Sequence, residues 1–312
     1  MGLENTREKV AKWAFVLVPL AALVELAAHA TQVQSAATDA DWAAARAAAQ
    51  PLIHPDDLVV FAPRWTDPIG RASFGDALTG VAREASADET RFPRAIEVST
   101  RGAHAPELAS WRKADEKRAG PFTITTLENP SYARTLDDLV AHLGEGRAQA
   151  ALIDGSGGVT PCPWSDGGGA QSGGLGFGPA VPNAKFGCRA VFAGVTVLTD
   201  LEYRSRRCIF APPPGGPAAL RITFKDVAFG QVLHGHHGLY VEAERGKEGT
   251  PVYLAFSARE KRIAKIAHVD GDGWKGFELP TGDLAGQTAD LVAEITSGSN
   301  NRRLYCFEAI TR

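Results

Sequence analysis

Short runs of β-branched and aromatic residues dominate the last hundred residues of the chain and alternate with turn-forming residues. They recur at intervals of about 10–15 residues, a spacing typical of an antiparallel β-sandwich. The predicted strands of this region are 220–224, 239–243, 252–256, 263–268, 276–279, 291–295 and 303–308. A strand or strand pair at 188–199 leads into them, so we predict a jelly-roll-like sandwich domain over residues 188–312.

Helical and apolar segments alternate between residues 41 and 154, which predicts a small α/β domain with a partly parallel sheet and helices on at least one face. The predicted helices are 41–53, 69–84, 105–113 and 136–143, and the predicted strands are 58–62, 95–99 and 122–127. Residues 155–187 are rich in glycine and proline and are predicted to form a loop between the two domains. The predicted fold class is therefore α+β, in several layers.

An apolar run at residues 13–30 follows three basic residues, and no Lys or Arg occurs after it until Arg46. Positive charge on one flank predicts that the rest of the chain lies outside the cytoplasm. As a signal anchor, the run would extend about 27 Å as a helix, near the thickness of a bilayer. As a cleavable signal peptide, it would end at the Ala-His-Ala of residues 28–30. We favour an anchor at residues 1–30 and a linker at 31–40, giving a periplasmic protein held at the inner membrane.

The charge balance and the cysteines narrow the class of protein further. The chain has 33 basic and 36 acidic residues, which argues against a nucleic-acid partner. Its four cysteines lack the spacing of a zinc ribbon, and an even number in an exported protein usually forms disulfides. Three pairings are open. We prefer Cys162 with Cys188 across the glycine-rich loop, and Cys208 with Cys306, which would join the first and last strands of the sandwich.

The loop after the first predicted strand carries the clearest candidate binding residues, Arg64, Trp65, Asp67 and Arg71. Open α/β sheets bind ligands beyond the carboxyl ends of their strands. The two arginines could hold a carboxylate or phosphate through paired hydrogen bonds, and Trp65 could stack on a sugar. The alternative is a structural loop, in which Asp67 caps the following helix and Trp65 lies between layers.

Two short motifs raise the question of a metal. His234 and His236 would share one face of a strand, but zinc needs further ligands and none has a diagnostic spacing, so a polar turn is the alternative. Asp270 and Asp272 could bind calcium, yet the EF-hand pattern is absent, and the alternative is a hairpin turn with Trp274 folded onto the sandwich. We expect no cofactor and keep calcium as an open alternative.

Catalytic signatures are weak. Glu97 with His104, or Asp76 with Glu89, could form acid–base pairs, but neither G-x-S-x-G nor H-E-x-x-H occurs in the sequence. We therefore lean towards a protein that is not an enzyme.

The strand count, the terminal Tyr305-Cys306-Phe307 segment and the DGDGW turn at 270–274 resemble the galactose-binding-like jelly-roll class, which includes many carbohydrate-binding modules. The resemblance implies sugar binding through aromatic rings, for which Tyr240 and Trp274 are candidates. A helix followed by DLVVFAP, at 57–63, resembles the extracytoplasmic soluble domains of bacterial membrane glycosyltransferases and implies a link to envelope glycans.

Three functions are consistent with these features. The leading hypothesis is a membrane-anchored, extracytoplasmic binding or accessory protein whose ligand is a glycan or an envelope protein. The second is an envelope glycan-modifying enzyme with its site at the loop of residues 64–71. The third is a structural subunit of a membrane complex.

Overall fold

The computed structural model describes residues 3–34, 36–74, 88–167, 181–188 and 191–312. The chain begins with a long helix, α1 (Leu3–Gln34), whose side chains from Val16 to Ala30 are all exposed. None of the helices in these ranges combines the length and the apolar character needed to cross a membrane. Because α1 continues to Gln34 and the next helix begins at Asp39, the predicted linker at 31–40 is wrong in its extent.

A four-stranded mixed sheet and two helices form the next layer, which we call the α/β layer. Its elements are α2 (Asp39–Ala49), β1 (Leu58–Ala62), α3 (Asp67–Phe74), β2 (Arg94–Thr100), β3 (Arg112–Ala119) and β4 (Phe122–Glu128). The strand order is β1-β2-β4-β3, and only β1 and β2 run parallel. The expectation of a partly parallel sheet is confirmed. The predicted helix at 69–84 matches α3 at its start, and residues 75–84 lie outside the described ranges.

Alternation along β1 separates the two faces of this sheet. Phe61 faces α2, where Trp42 packs on Phe122 with ring centroids 4.4 Å apart. Ala62 faces the other side and packs near Leu108. Successive residues of the strand therefore point to opposite faces of the sheet, as is typical of strands, and both faces are buried, one of them under helices.

The predicted helix at 105–113 is wrong. A short 3-10 turn at Pro106–Leu108 is followed by β3, whose sequence RKADEKRA is exposed at seven of its eight positions. This strand lies at the edge of the sheet and pairs only with β4. Charged side chains are common on edge strands because they oppose pairing with other chains. In this segment, the pairing with β4 outweighs the helical propensity.

The rest of the chain forms two antiparallel sheets. The first has the order β16-β13-β18-β11-β10-β9-β8, with β5 beside β18, and the second has the order β15-β14-β17-β12-β6-β7. The strands are β5 (Asp137–Asp138), β6 (Ala148–Ile153), β7 (Val159–Cys162), β8 (Trp164–Ser165), β9 (Lys185–Cys188), β10 (Val191–Thr199), β11 (Ser205–Phe210), β12 (Ala219–Ala228), β13 (Val232–Leu239), β14 (Val252–Ala258), β15 (Lys261–His268), β16 (Lys275–Pro280), β17 (Thr288–Ser297) and β18 (Tyr305–Thr311). Two short helices, α4 (Leu139–Gly144) and α5 (Val241–Gly246), connect strands.

The two sheets share one apolar core, which confirms the predicted β-sandwich. Phe256 of the second sheet contacts Phe277 and Phe307 of the first, with ring centroids 5.7 and 6.2 Å apart. The sandwich begins earlier than predicted, because β6 and β7 pair within it; the boundary at 154 and the assignment of all of 155–187 to a loop are therefore wrong. The predicted strand at 239–243 is also wrong, since β13 ends at Leu239 and α5 follows.

Both preferred disulfides are present. Cys162 is bonded to Cys188, and Cys208 to Cys306. The second bond joins neighbouring strands, because β11 pairs with β18. Disulfides persist in oxidising compartments, which indicates an extracytoplasmic domain.

Candidate ligand-binding cleft and histidine cluster

A cleft of about 540 Å³ lies between the α/β layer and the sandwich. The α/β layer contributes residues 58–61 of β1, the following loop with Arg64, Asp67 and Arg71, and the turn at 105–107. The sandwich contributes residues 203–206, at the start of β11. Three of the four residues predicted for the loop after β1 therefore face one cavity, at the carboxyl end of that strand as expected for an open α/β sheet.

The cleft holds charges of both signs, and some of them are loosely paired. Arg64 lies 3.8 Å from Glu107 and 3.6 Å from Glu202, both beyond hydrogen-bond distance. Arg71 and Asp67, by contrast, form an ion pair of 2.8 Å along α3. Arg64 can therefore reorient towards a ligand at low cost, whereas Asp67 already has a partner and stabilises the first turn of α3.

One acceptor and one donor in the cleft have no hydrogen bond. Glu107 Oε2 and Arg204 Nε are buried atoms that have no hydrogen-bond partner among the described residues. Arg204 Nε is 3.0 Å from the Glu202 carboxylate, an ion-pair contact that does not have the direction of a hydrogen bond. Glu89 also lines the cleft, and burial raises the pKa of its carboxyl. Unsatisfied buried polar atoms are uncommon in folded proteins, so this wall is suited to a polar ligand.

Two exposed aromatic rings lie near these charges. Trp65, next to Arg64 in the chain, is 59% exposed, and the guanidinium of Arg101 lies 5.8 Å from its ring centre. Tyr203, which lines the cleft, is 61% exposed and carries Arg245 at 4.5 Å over its ring. The exposure of Trp65 excludes the alternative in which this residue packs between layers.

Tyr240 and Trp274, the sugar-stacking candidates of the sandwich, do not form an open platform. Tyr240 is 8% exposed and packs in the apolar cluster around the Cys208–Cys306 disulfide. Trp274 is half-buried, stacks on His236 with ring centroids 6.1 Å apart and lies 5.9 Å from the Arg206 guanidinium. As the turn alternative predicted, Trp274 folds onto the sandwich.

A cluster of ionisable residues, here called the histidine cluster, lies beside the cleft. His234 and His236 point from β13 to the side of the sheet opposite the apolar core, and Asp88 reaches them from the α/β layer. One ligand atom of each residue lies within 4.8 Å of the others, and Asp88 Oδ2 is 3.1 Å from His234 Nε2. Glu308 of β18 lies 2.7 Å from His236 Nδ1. The sequence predicted that the two histidines share a strand face but gave no indication of Asp88.

The cluster shifts the pKa values of its members. Burial acts to raise the pKa of Asp88, but the close contact with His234 and the nearby charge of His236 outweigh it and hold that pKa well below its usual range. Burial acts to lower the pKa of His236, but the bond to Glu308 outweighs it and raises that pKa. Opposite charges therefore stabilise one another at this contact between the layers.

The acidic turn at Asp270 and Asp272 is not arranged as a calcium site. Asp270 forms an ion pair with the buried Arg303 and accepts a hydrogen bond from Gly249 N at 2.8 Å. Asp272 accepts from Lys275 Nζ at 3.0 Å. Within the described ranges, the two aspartates do not belong to any grouping of three potential metal ligands. The glycines of this turn have φ of +94° and +69°, as expected for a tight turn. The predicted hairpin is wrong, because the flanking strands β15 and β16 belong to different sheets.

The proposed acid–base pairs have different outcomes. His104 Nδ1 lies 2.9 Å from Glu97 Oε2, and Ala105 N donates to the other oxygen of that carboxylate at 2.6 Å. Glu97 therefore stabilises the turn after β2. Asp76 lies outside the described residues, so its pairing with Glu89 stays a prediction.

No protein-family model matches the chain, and no curated protein matches it. Among solved structures, it resembles the carbohydrate-binding module CBM51 from Clostridium perfringens GH95, solved with methyl-galactose, with 10% identity over 38% of this chain and 81% of that one, at a TM-score of 0.26. The CBM51-2 and INT domains from Clostridium perfringens ZmpB, solved with GlcNAc, give 10% identity over 64% and 45%, at 0.30. The mannan-binding module TmCBM27 gives 8% identity over 40% and 84%, at 0.26. TM-scores this low do not establish a shared ligand, so the functional argument rests on the residues of this chain.

Proposed function

We propose that this chain is an extracytoplasmic glycan-binding protein whose ligand occupies the cleft between the α/β layer and the sandwich. The observation that carries the proposal is the pair of unsatisfied atoms in the cleft wall, Glu107 Oε2 and Arg204 Nε. A sugar hydroxyl both donates and accepts hydrogen bonds, so neighbouring hydroxyls of one sugar can satisfy a carboxylate and a guanidinium together once the two buried atoms turn towards the cleft. The volume of about 540 Å³ falls within the range of small-molecule sites.

The exposed rings support the same class of ligand. Tyr203 lies in the wall of the cleft, and Trp65 adjoins Arg64, so both can pack on the apolar face of a pyranose while the charged groups bind its hydroxyls. Arg64 supplies further donors, because its two ion pairs are longer than hydrogen bonds. The lining has four arginines beside Asp67, Glu89 and Glu107, so its charges are compatible with a neutral glycan and with one that carries an anionic group.

A glycan array with the purified full-length protein tests the proposal, followed by calorimetry with the best glycan. Glu107→Gln and Arg204→Gln should each weaken binding by about 10- to 150-fold, since a hydrogen bond to a charged group contributes about 1.5–3 kcal/mol. Arg118→Ala, on the exposed edge strand β3, is the control and should bind like the wild type. Silence across envelope and plant glycans, or full affinity in both cleft variants, would refute the proposal.

A second candidate function is an envelope glycan-modifying enzyme that uses the same cleft. Glu89 favours it, because a half-buried carboxyl with a raised pKa in a ligand-sized cavity has the properties of a general acid. Incubation of the protein with the glycans that bind on the array, followed by mass spectrometry, tests this candidate. Loss of turnover in Glu89→Gln with binding retained would support the enzyme, and unchanged glycans would exclude it for those substrates.

A further inference from the structure

We propose that Asp88, His234 and His236 form a binding site for one divalent transition-metal ion of the zinc type. Two imidazole nitrogens and one carboxylate oxygen suit zinc and related transition metals, whereas calcium prefers a shell made of oxygens. The three ligand atoms lie within 4.8 Å of one another, and the Asp88–His234 pair is already at 3.1 Å. Ligands of a tetrahedral zinc ion are about 3.4 Å apart, so small side-chain rotations complete the site.

Buried, unpaired carboxylate oxygens provide the second, independent observation. The Asp88 side chain is 5% exposed, and Thr90 donates to its Oδ1 from the backbone N at 3.0 Å and from the hydroxyl at 2.8 Å. Its Oδ2 lies 3.1 Å from His234 Nε2 without the geometry of a hydrogen bond and has no hydrogen-bond partner among the described residues. Glu308, 8% exposed, likewise keeps Oε2 unpaired while Oε1 holds His236. A buried oxygen without a hydrogen bond is unfavourable, more so when it is charged, and a cation bound next to it offsets that cost.

The surroundings of the two imidazoles are those of metal-binding histidines, whose rings are usually oriented by carboxylates. Glu308 orients His236 through Nδ1. His234 presents Nε2 to Asp88 and has Glu278 3.5 Å from Nδ1. Arg312 also lies 3.2 Å from His234 Nδ1. With a metal on Nε2, Nδ1 carries the proton, so Arg312 has to give up its hydrogen bond to Nδ1, while it retains its bond to Glu278 at 2.9 Å.

The site joins parts of the chain that are distant in sequence. Asp88 belongs to the segment that precedes β2, whereas both histidines lie on β13 of the sandwich. A metal ion bound by all three would therefore clamp the α/β layer onto the sandwich. Three protein ligands leave one coordination position for water, as in open zinc sites.

Zinc binding to the full-length protein, first dialysed against a chelator, tests the proposal by calorimetry and elemental analysis. The wild type should bind one equivalent, and the absorption of the cobalt(II) form should be that of a tetrahedral site. Glu308→Gln removes the partner that orients His236 and should weaken zinc binding by roughly 10- to 100-fold. His234→Gln and His236→Gln each remove a ligand and should weaken it by more. Calcium should give no binding at this site.

The exposed His54 provides the matched control, because His54→Gln should leave zinc binding unchanged. Circular dichroism shows whether each variant is folded, and a rise in melting temperature with zinc in the wild type alone gives a second readout. A wild type that retains no zinc would overturn the proposal. One full equivalent of zinc in a folded His234→Gln/His236→Gln double variant would overturn it as well.

Discussion

The Cys208–Cys306 disulfide should contribute more to the free energy of unfolding than the Cys162–Cys188 disulfide. Its cysteines are 98 residues apart, and a cross-link of that length removes about 4.7 kcal/mol of chain entropy from the unfolded state at 25 °C. The Cys162–Cys188 bond spans 26 residues, for which the same relation gives about 3.5 kcal/mol. The difference of about 1.2 kcal/mol depends only on the ratio of loop lengths, so it is better defined than either value.

Packing should enlarge that difference. Cys208 and Cys306 are fully buried and contact the apolar cluster around Phe210, so Cys→Ala substitutions also remove core contacts. Cys162 and Cys188 are 4% and 9% exposed and lie nearer the edge of the core. The assay is guanidinium unfolding of the wild type and of the two double alanine variants at one temperature, with the m-value measured for each.

The expected order of stability is wild type, then the Cys162/Cys188 variant, then the Cys208/Cys306 variant, with larger m-values in both variants because their unfolded chains are more expanded. Wild-type protein under reducing conditions should reproduce the combined loss and serves as the control. The entropic reasoning fails if removing the 26-residue link costs as much as removing the 98-residue link, or if the longer link contributes less than about 1 kcal/mol.

Three further predictions concern buried charge, pH and the membrane. Glu244 is fully buried and accepts hydrogen bonds from Leu239 N, His268 Nε2 and Gly271 N. Glu244→Gln should therefore lower the free energy of unfolding by about 3–5 kcal/mol, measured by chemical denaturation, and unchanged stability would contradict this role. Burial and the charge of His268 lower the pKa of His237 to about 3. As the pH falls, His237 therefore binds a proton in the unfolded chain before it does so in the folded protein. The contribution of His237 to stability should be full above about pH 6.5 and fall by up to about 1.4 kcal/mol per pH unit between about pH 6.5 and pH 3. His237→Gln should therefore lose stability less steeply over this range than the wild type, and equal slopes would contradict the prediction. If the N-terminal segment anchors the protein, carbonate washing should leave it in the membrane pellet, and release of the chain would contradict the anchor.

Local patterns predicted most of the strands and both disulfides. A strand with one buried side alternates apolar and polar residues, and this pattern can be recognised within a single segment, as at 220–224 and 252–256. The Cys208–Cys306 bond was predicted between neighbouring strands, which the pairing of Phe210 with Cys306 confirms, although β11 is not the first strand of the sandwich.

The errors occur where distant contacts decide the structure. The charged segment that becomes β3 has no apolar alternation, and only its pairing with β4 makes it a strand. In β13, His234 and His236 point outward and two other positions are glycines. The sequence of this strand therefore lacks a clear alternation of apolar and polar residues. A Cβ at Gly235 would lie 2.1 Å from the Glu308 carbonyl oxygen, so close strand contact, rather than a turn, requires this glycine.

The cleft and the histidine cluster both take residues from one short segment. The sequence indicated the loop after β1 and the two histidines, but not the contribution of this segment to either site. Asp88 joins the cluster, Glu89 lines the cleft, and Arg91 forms an ion pair of 2.6 Å with Asp138 of the sandwich. Each of these contacts crosses from the α/β layer to the sandwich, and their partners lie 47 to 148 residues away in the chain. Any change that detaches this segment therefore alters both the wall of the cleft and the ligand set of the cluster, so the two sites are physically coupled through the contact between the layers.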